Sequence, residues 1–550
     1  MRNPTALDAI AEAHVDAIAA HDPLSATDCG IPGYDHLLPD FSPEEAGRWA
    51  EHLRDVLARI ATAPVTDLAD KTTAAAMTER LGLELETIEA GDHLVDINNI
   101  ASPLQQLRDG FDLMPTNTDE DWANIASRMA AMPTALAGYR ATLAQGIAQG
   151  ELPARRAVLD AAAQAARLAA TDSRFHKLAA EAERGGALGA DLARAAAAAT
   201  QACGELTRFL REDLAPAARE GDAVGRERYE RASREFLGAK IDLDETYAWG
   251  VEALAQITAE QTALAREIAG ADATVADAVA KLNADPAHQI NGTAALREWM
   301  QGVAEEAIAA LDGRYFDLDP RVREVQAMIA PSTTGGIYYT GPSADFSRPG
   351  QMWWSVPEGV TEFTTWLEKT TVYHEGVPGH HLQVGQAVAQ AESLNRWRSL
   401  VCWISGHGEG WALYAERLMD EFGFLSPGER LGMLDGQRLR ATRVVLDLGV
   451  HLGKPAFSRY GDGAWDYEKC WQLLRDNVAM EEQALRFELH RYLGWPGQAP
   501  SYRVGQRIWE QIRSAAEGRD GAAFDLKEFH NRALAVGSLP LDVLWEVLAG

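Results

Sequence analysis

The chain has 550 residues, with 51 Lys and Arg against 81 Asp and Glu, a formal net charge of −30. Such an excess of acid repels phosphate backbones and anionic lipid, and no local basic patch offsets it, so nucleic-acid and membrane partners are excluded as expectations. Hydrophobic residues at 47% and charged residues at 24% are globular proportions over a length ample for a large buried core, which excludes disorder over most of the chain.

The opening segment, MRNPTALDAIAEAHVDAIAAHD, has no continuous apolar core and does not read as a signal peptide. No run approaches the ~20 apolar residues of a spanning helix, so the expected location is cytoplasmic. Within that segment Leu7, Ile10, Ala11, His14 and Ile18 recur at helical spacing. The alanine-rich stretches ARRAVLDAAAQAARLAATDSRFHKLAAEAE and ADLARAAAAATQACGELTRFLREDLAPAAR are strong helix formers, punctuated at Gly185-Gly186 and Pro216. Cys29, Cys203, Cys402 and Cys470 make no CxxC pair, which argues against a cysteine zinc site and a disulfide framework. From Val325 to Val356 the helical rhythm stops. GGIYYTG and QMWWSV, rich in β-branched and aromatic residues, predict two strands of a small sheet or hairpin. After Pro357 a helix is expected again through EGVTEFTTWLEKTTVYHEG, with Phe363, Trp366, Leu367 and Thr370 on one face. The fold class is therefore mostly α. A helical lobe over 1–320 and a catalytic lobe over 321–550 meet near Asp319-Pro320, with no linker strong enough to separate them.

The segment TVYHEGVPGHHLQ, Thr371 to Gln383, carries the chemistry. A zinc-hydrolase helix usually places two histidines four residues apart with a glutamate beside the first. Here Pro378 occupies the fourth position. His374 and His380 are about 120° out of line on a regular helix, and His374 and His381 stand about 10.5 Å apart along its axis. Pro378 cannot donate to the His374 carbonyl and crowds it, and Gly379 relaxes the backbone beside it, so two residues are expected to bulge from the helix. His374 and His380 are the favoured ligands, with His374 and His381 the alternative; His381 would otherwise face substrate or hydrogen-bond a ligand. Glu375 is the general base in either register. The third ligand is expected from SGHGEGWALYAERLMDEFG, where the glycines flanking Glu409 allow close backbone approach. Glu416, seven residues on, is the alternative, and reads otherwise as a solvated helix carboxylate. His407 is expected to touch substrate or a ligand, or to be a satisfied turn histidine. Further on, Arg443, Asp447 and His451 fall at successive four-residue steps on one face of an otherwise apolar helix, either lining a cavity or closing a buried network. Of Tyr338 and Tyr339 on the first strand, one is expected to face the cleft, Tyr339 being the working assignment.

In order, YHEGVPGHHLQ, GHGEGWALYAERL, RATRVVLDLGVH and WPGQAPSYRVG resemble a large bacterial family catalogued as domain of unknown function 885. More distantly they are similar to the thermostable Taq-type metallocarboxypeptidases, helical zinc enzymes that remove C-terminal residues from peptides. The resemblance implies a large all-helical zincin-like architecture with the small sheet beside the active-site helix. It implies Zn²⁺ as cofactor, and matches His374 and His380 to the paired ligands, Glu375 to the catalytic glutamate and Glu409 to the glutamate ligand. It also matches Arg443 and Asp447 to an arginine–aspartate pair, and Tyr502 to a tyrosine facing substrate. Arg443 would take a terminal carboxylate and Tyr502 would steady the oxyanion. The first motif here is longer by two residues, and GHGEG replaces a compact histidine–glutamate pair. The expected function is a zinc-dependent, carboxypeptidase-like metallopeptidase acting on short peptides. The alternatives are a metal-dependent amidase on a small non-peptide amide and a metal-free helical binding protein. A homodimer is compatible with the sequence.

Overall fold

The computed structural model describes residues 2–331, 336–391 and 393–550. Helices dominate it. The first, Ala6–His21, starts where Thr5 and Asp8 cap it reciprocally, each side chain accepting from the other's backbone N–H. The alanine-rich stretches fold as Arg155–Leu168, Arg174–Glu181 and Gly186–Phe209, and pack with Asp119–Gln149 around a core of Trp122, Met129, Tyr139, Ala161, Ala196 and Leu206. Small alanine faces let these backbones approach closely, while the large residues of the partner helix fill the space between them.

A second core holds residues as distant in sequence as Leu7 and Leu548, and runs across the expected lobe boundary through Phe316, Leu318, Val322 and Val325. The two expected lobes thus share one hydrophobic interior. Among the described residues no helix is long and apolar enough to cross a membrane, and the four cysteines are free thiols.

The predicted strands form Ile337–Thr340 and Gly350–Trp354, paired antiparallel with Tyr339 opposite Met352. Gly335, at the start of the GGIYYTG strand, lies outside the described residues. The sheet has a third strand that the sequence reading did not separate out, Val325–Ile329, parallel to Gly350–Trp354. Gly350–Trp354 is central and Ile337–Thr340 is an edge. The helix expected soon after Pro357 begins only at Thr365, because Glu362–Thr364 is instead a strand paired with Gln289–Asn291. Phe363 therefore sits on a strand, and Leu367 is 37% exposed, while Trp366 and Thr370 are buried as expected.

Two further helices complete the frame of the site. Pro427–His451, capped by Ser426 and Glu429, is buried at every residue from Ala441 to His451. Ser405–Glu421 crosses Ser501–Asp520 with their backbones in contact: a Cβ on Gly410 would lie 2.5 Å from the Gly505 carbonyl carbon. Only glycine at these positions lets the helices meet so closely, and the crossing carries Glu409 and Tyr502 to the same cavity.

Candidate metal centre

The helix Thr365–Glu375 stops one residue after His374, and a new helix, His380–Ala389, starts at His380. Between them the chain turns so tightly that the Gly379 N–H donates to the Tyr373 carbonyl at 3.0 Å. A Cβ on Gly379 would collide with the carbonyls of Tyr373 and His374. The turn is braced from outside by Trp411, whose indole N–H donates to the Pro378 carbonyl at 2.9 Å. The motif is thus a full break between two helices, more than the bulge expected, and it has the expected effect. The rings of His374 and His380 stand 4.8 Å apart at 90°.

Glu409 closes the group from the first turn of Ser405–Glu421. Its Oε2 lies 3.3 Å from His374 Nε2 and 3.6 Å from His380 Nε2. One donor atom from each of the three lies within 4.8 Å of the others, an arrangement able to hold a cation. Glu375, 5% exposed, borders the same cavity, and its Oε2 and the His380 Nδ1 are buried without a hydrogen-bond partner among the described residues.

Glu416 corrects the reading of a solvated carboxylate. It is 2% exposed. Its Oε1 lies 2.8 Å from His374 Nδ1, and its Oε2 accepts from the Thr370 hydroxyl at 2.9 Å. A carboxylate only accepts, so His374 Nδ1 carries the hydrogen and Nε2 is turned toward Glu409. Three carboxylates thus converge on two imidazoles, and the electrostatics follow. Burial disfavours the His374 imidazolium, yet Glu409, Glu416 and Glu375 push its pKa up to about 10. Burial pushes the Glu375 carboxyl up, against His374 and His380, which favour its charged form. Burial also works against the Glu409 carboxylate, but the two histidines hold it well below the usual range. The site is built to hold positive charge, as protons or as a metal ion competing with them.

The cavity in front of these groups has a volume of about 370 Å³ and is bordered by Tyr338, Tyr339, Trp403, Arg440, Arg443 and Tyr502. It adjoins a larger one of about 840 Å³ through the shared Trp403 and Glu409. Both strand tyrosines border the cavity, where one was expected.

Several sequence-predicted residues fall elsewhere. His381 points away from Glu409. Its Nε2 lies 2.8 Å from the Val322 carbonyl and its Nδ1 2.9 Å from the Tyr339 hydroxyl, so it ties the edge strand to the helix and neither binds the cation group nor faces the cavity. His407 is buried with Nδ1 3.1 Å from the Leu539 carbonyl, a structural histidine in the first turn of its helix. Asp447 does not meet Arg443. Its Oδ1 accepts from the Tyr229 hydroxyl at 2.6 Å and the Gly497 N–H at 3.0 Å. His451 stacks on Tyr229 and places Nε2 3.0 Å from the Tyr492 carbonyl. Asp447 and His451 meet through Tyr229 and border neither cavity, and Asp447 Oδ2 and His451 Nδ1 are buried without a hydrogen-bond partner among the described residues. Tyr502 does border the cavity beside His374, His380 and Glu409, and the Arg443 guanidinium lies 5.0 Å from its ring centre. The sequence reading passed over Thr370 as a hydrogen-bonding group, and Trp403 and Arg440 as cavity residues. Arg440 was signalled only by standing three residues before Arg443, one helical turn away.

Two solved structures share this fold. One is "the putative lipoprotein from Colwellia psychrerythraea", with a TM-score of 0.85 and 22% identity over 98% of each chain. The other is "a putative lipoprotein of unknown function from Shewanella oneidensis", with a TM-score of 0.77 and 17% identity, covering 98% of this chain and 99% of that one. No curated protein matches the sequence. The family described as "Bacterial protein of unknown function (DUF885)" matches residues 23–548, nearly the whole length, and the chain belongs to it.

Proposed function

We propose that the chain is a zinc-dependent hydrolase of peptide bonds, carboxypeptidase-like in acting on short peptides, on a zincin-like architecture related to the Taq-type carboxypeptidases. The observation that carries this reading is the convergence of His374, His380 and Glu409 beside the unpartnered carboxylate of Glu375. The donor set fits the metal. Bonds of about 2.0–2.2 Å to one tetrahedral ion place its ligand atoms roughly 3.3–3.6 Å apart, which matches the separations of 3.3 and 3.6 Å to Glu409. Two imidazoles and one carboxylate leave a fourth position open, as in catalytic zinc sites. When bound, zinc supplies a Lewis acid and lowers the pKa of water to about 7.

The chain's own groups do the rest. Glu416 and Thr370 fix the His374 ring. Glu375 takes a proton from water and returns it to the leaving amine, and its raised pKa suits that exchange. Tyr502 offers its hydroxyl to the oxyanion as charge develops there. The Ile337–Thr340 edge, unpaired on one side among the described residues, offers backbone groups to an extended peptide. A cavity of about 370 Å³ is at the small end of ligand sites, which favours a short substrate.

The test has two parts. Protein purified without chelator should carry about one zinc per chain and shorten peptides from the C-terminus, read by mass spectrometry. Glu375→Gln should keep the metal and lose turnover by about 10²–10⁴-fold. A protein without metal, or E375Q with full turnover, overturns the proposal. The description of both solved relatives as a "putative lipoprotein" supports an exported or lipid-anchored location over the cytoplasmic one expected from the sequence. Cell fractionation decides between them.

A further inference from the structure

Two arginines of the helix Pro427–His451 border the metal cavity, and their surroundings differ. Arg443 is already engaged. Its Nη2 donates to Glu488 at 3.0 Å, its Nε donates to the Tyr492 hydroxyl at 2.7 Å, and its guanidinium lies over the Tyr502 ring. Arg440, one turn earlier, has no carboxylate within the 4.0 Å of an ion pair among the described residues. Its one hydrogen bond among them is from Nη1 to the Gly436 carbonyl at 3.1 Å, and its Nε is buried without a partner. Gly436 permits this pose, since a Cβ there would lie 2.8 Å from that Nη1. Asp435 and Glu375 feel the charge of Arg440 from beyond contact distance; a buried guanidinium N–H without a partner is unfavourable, and the fork is shaped for a carboxylate. The two cavities differ in their charged groups: the smaller has Arg440 and Arg443 beside Glu375 and Glu409, and shares Glu409 with the larger. The larger one carries the carboxyl groups of Glu84, Asp96 and Glu235, which burial pushes toward their neutral forms and which have no ion-pair partner among the described residues. Its arginine, Arg80, is paired with Glu79.

We infer that Arg440 is the anion-binding residue of the metal cavity and takes the terminal carboxylate of the peptide, the place that family resemblance assigns to Arg443. This rests on the hydrolase reading for what is cleaved, but not for what is bound. The carboxyl-terminal residue then occupies the smaller cavity beside Arg440, Glu375 and Tyr502. The remainder of the peptide extends past Trp403 into the larger cavity, where the carboxyl groups of Glu84, Asp96 and Glu235 offer hydrogen-bond partners.

Titration calorimetry on E375Q, which holds substrate without consuming it, tests this with N-acetyl-Ala-Phe and its C-terminal amide. The free acid should bind about 10–100-fold more tightly, the worth of a hydrogen-bonded charge pair. Arg440→Gln in the same background should bring the ratio close to one, and Arg440→Lys, keeping charge without the fork, should restore part of it. A ratio that survives R440Q, or that collapses only in Arg443→Gln, overturns the inference. Equal affinity for acid and amide in E375Q, or no binding of either, overturns it without any arginine variant, so misfolding of R440Q cannot shield it. A protein that discriminates the two forms through Arg440 yet hydrolyses no peptide refutes the peptidase and leaves the anion site standing. One that hydrolyses acid and amide alike does the reverse.

Discussion

Replacing Glu416 by alanine removes two buried hydrogen bonds at once: that of the Thr370 hydroxyl at 2.9 Å and that of His374 Nδ1 at 2.8 Å. With Glu416 only 2% exposed, water has little access to replace it. Each donor left unpaired costs about 1–3 kcal/mol. The Thr370 share falls on folding. The His374 share falls on metal binding, because an imidazole free to turn or change tautomer presents Nε2 to the ion only part of the time. Loss of such an outer partner lowers metal affinity by about 10–100-fold, or about 1.4–2.7 kcal/mol, which lies within the cost of a single abandoned donor. Glu416→Gln keeps an oxygen to accept from His374 but loses the charge. Charge-assisted bonds are roughly twice as strong as neutral ones, so E416Q should fall between parent and E416A. Zinc affinity is read by competition with a chromophoric chelator. Melting of the chelated proteins separates the folding share from the metal share. A folded E416A that binds zinc as tightly as the parent refutes the assigned role.

Two further expectations follow from the geometry. His380→Ala should lose zinc, whereas His381→Ala should retain it and lower the melting temperature, since His381 ties Val322 to Tyr339; zinc lost equally from both would mean the register is misassigned. Burial raises Asp447 to about 7, against the Tyr229 hydroxyl and Gly497 amide that favour its charged form. The folded chain then keeps a proton that the unfolded chain releases above about pH 4, so this group makes stability fall as pH rises from about 4 through 7. Asp447→Asn should therefore lose less of its melting temperature between pH 5 and 8 than the parent does, and parallel losses would refute the shift.

The sequence carried the centre of the site more fully than its surroundings. His374, Glu375, His380 and Glu409 were legible because local stereochemistry dictates them: proline and glycine in VPG forbid a continuous helix, and breaking it there moves one imidazole toward the other. Glu416 was misread because seven-residue spacing reports a shared face but not what that face meets. Its partners, Thr370 and His374, lie 46 and 42 residues away on another helix. His381 and His407 illustrate the same limit. Each has an ordinary buried carbonyl as partner, supplied by Val322 and Leu539, and nothing local announces either. The third strand, Val325–Ile329, was hidden for a related reason: it pairs in parallel with a segment 25 residues on, and parallel pairing leaves no hairpin signal between neighbours.

The helix Pro427–His451 shows how one polar stripe divides its labour with depth. Arg440 stands at the cavity with no carboxylate in ion-pair reach among the described residues. Arg443, a turn deeper, is held by Glu488 and Tyr492 and lies under the ring of Tyr502. Asp447 and His451 are sealed against Tyr229, Gly497 and the Tyr492 carbonyl. Four-residue spacing made these look like one site, but exposure to the cavity ends at Arg443. The arginine–aspartate pair matched by the family resemblance therefore keeps its spacing without forming a contact. What Arg443 does is indirect: it shares Glu488 with Arg491, donates to the Tyr492 hydroxyl, and lies over the ring of Tyr502, which borders the same cavity. Under the proposed function the two arginines one turn apart divide the work: Arg440 meets the substrate anion, while Arg443 is already engaged by Glu488 and Tyr492 beside Tyr502.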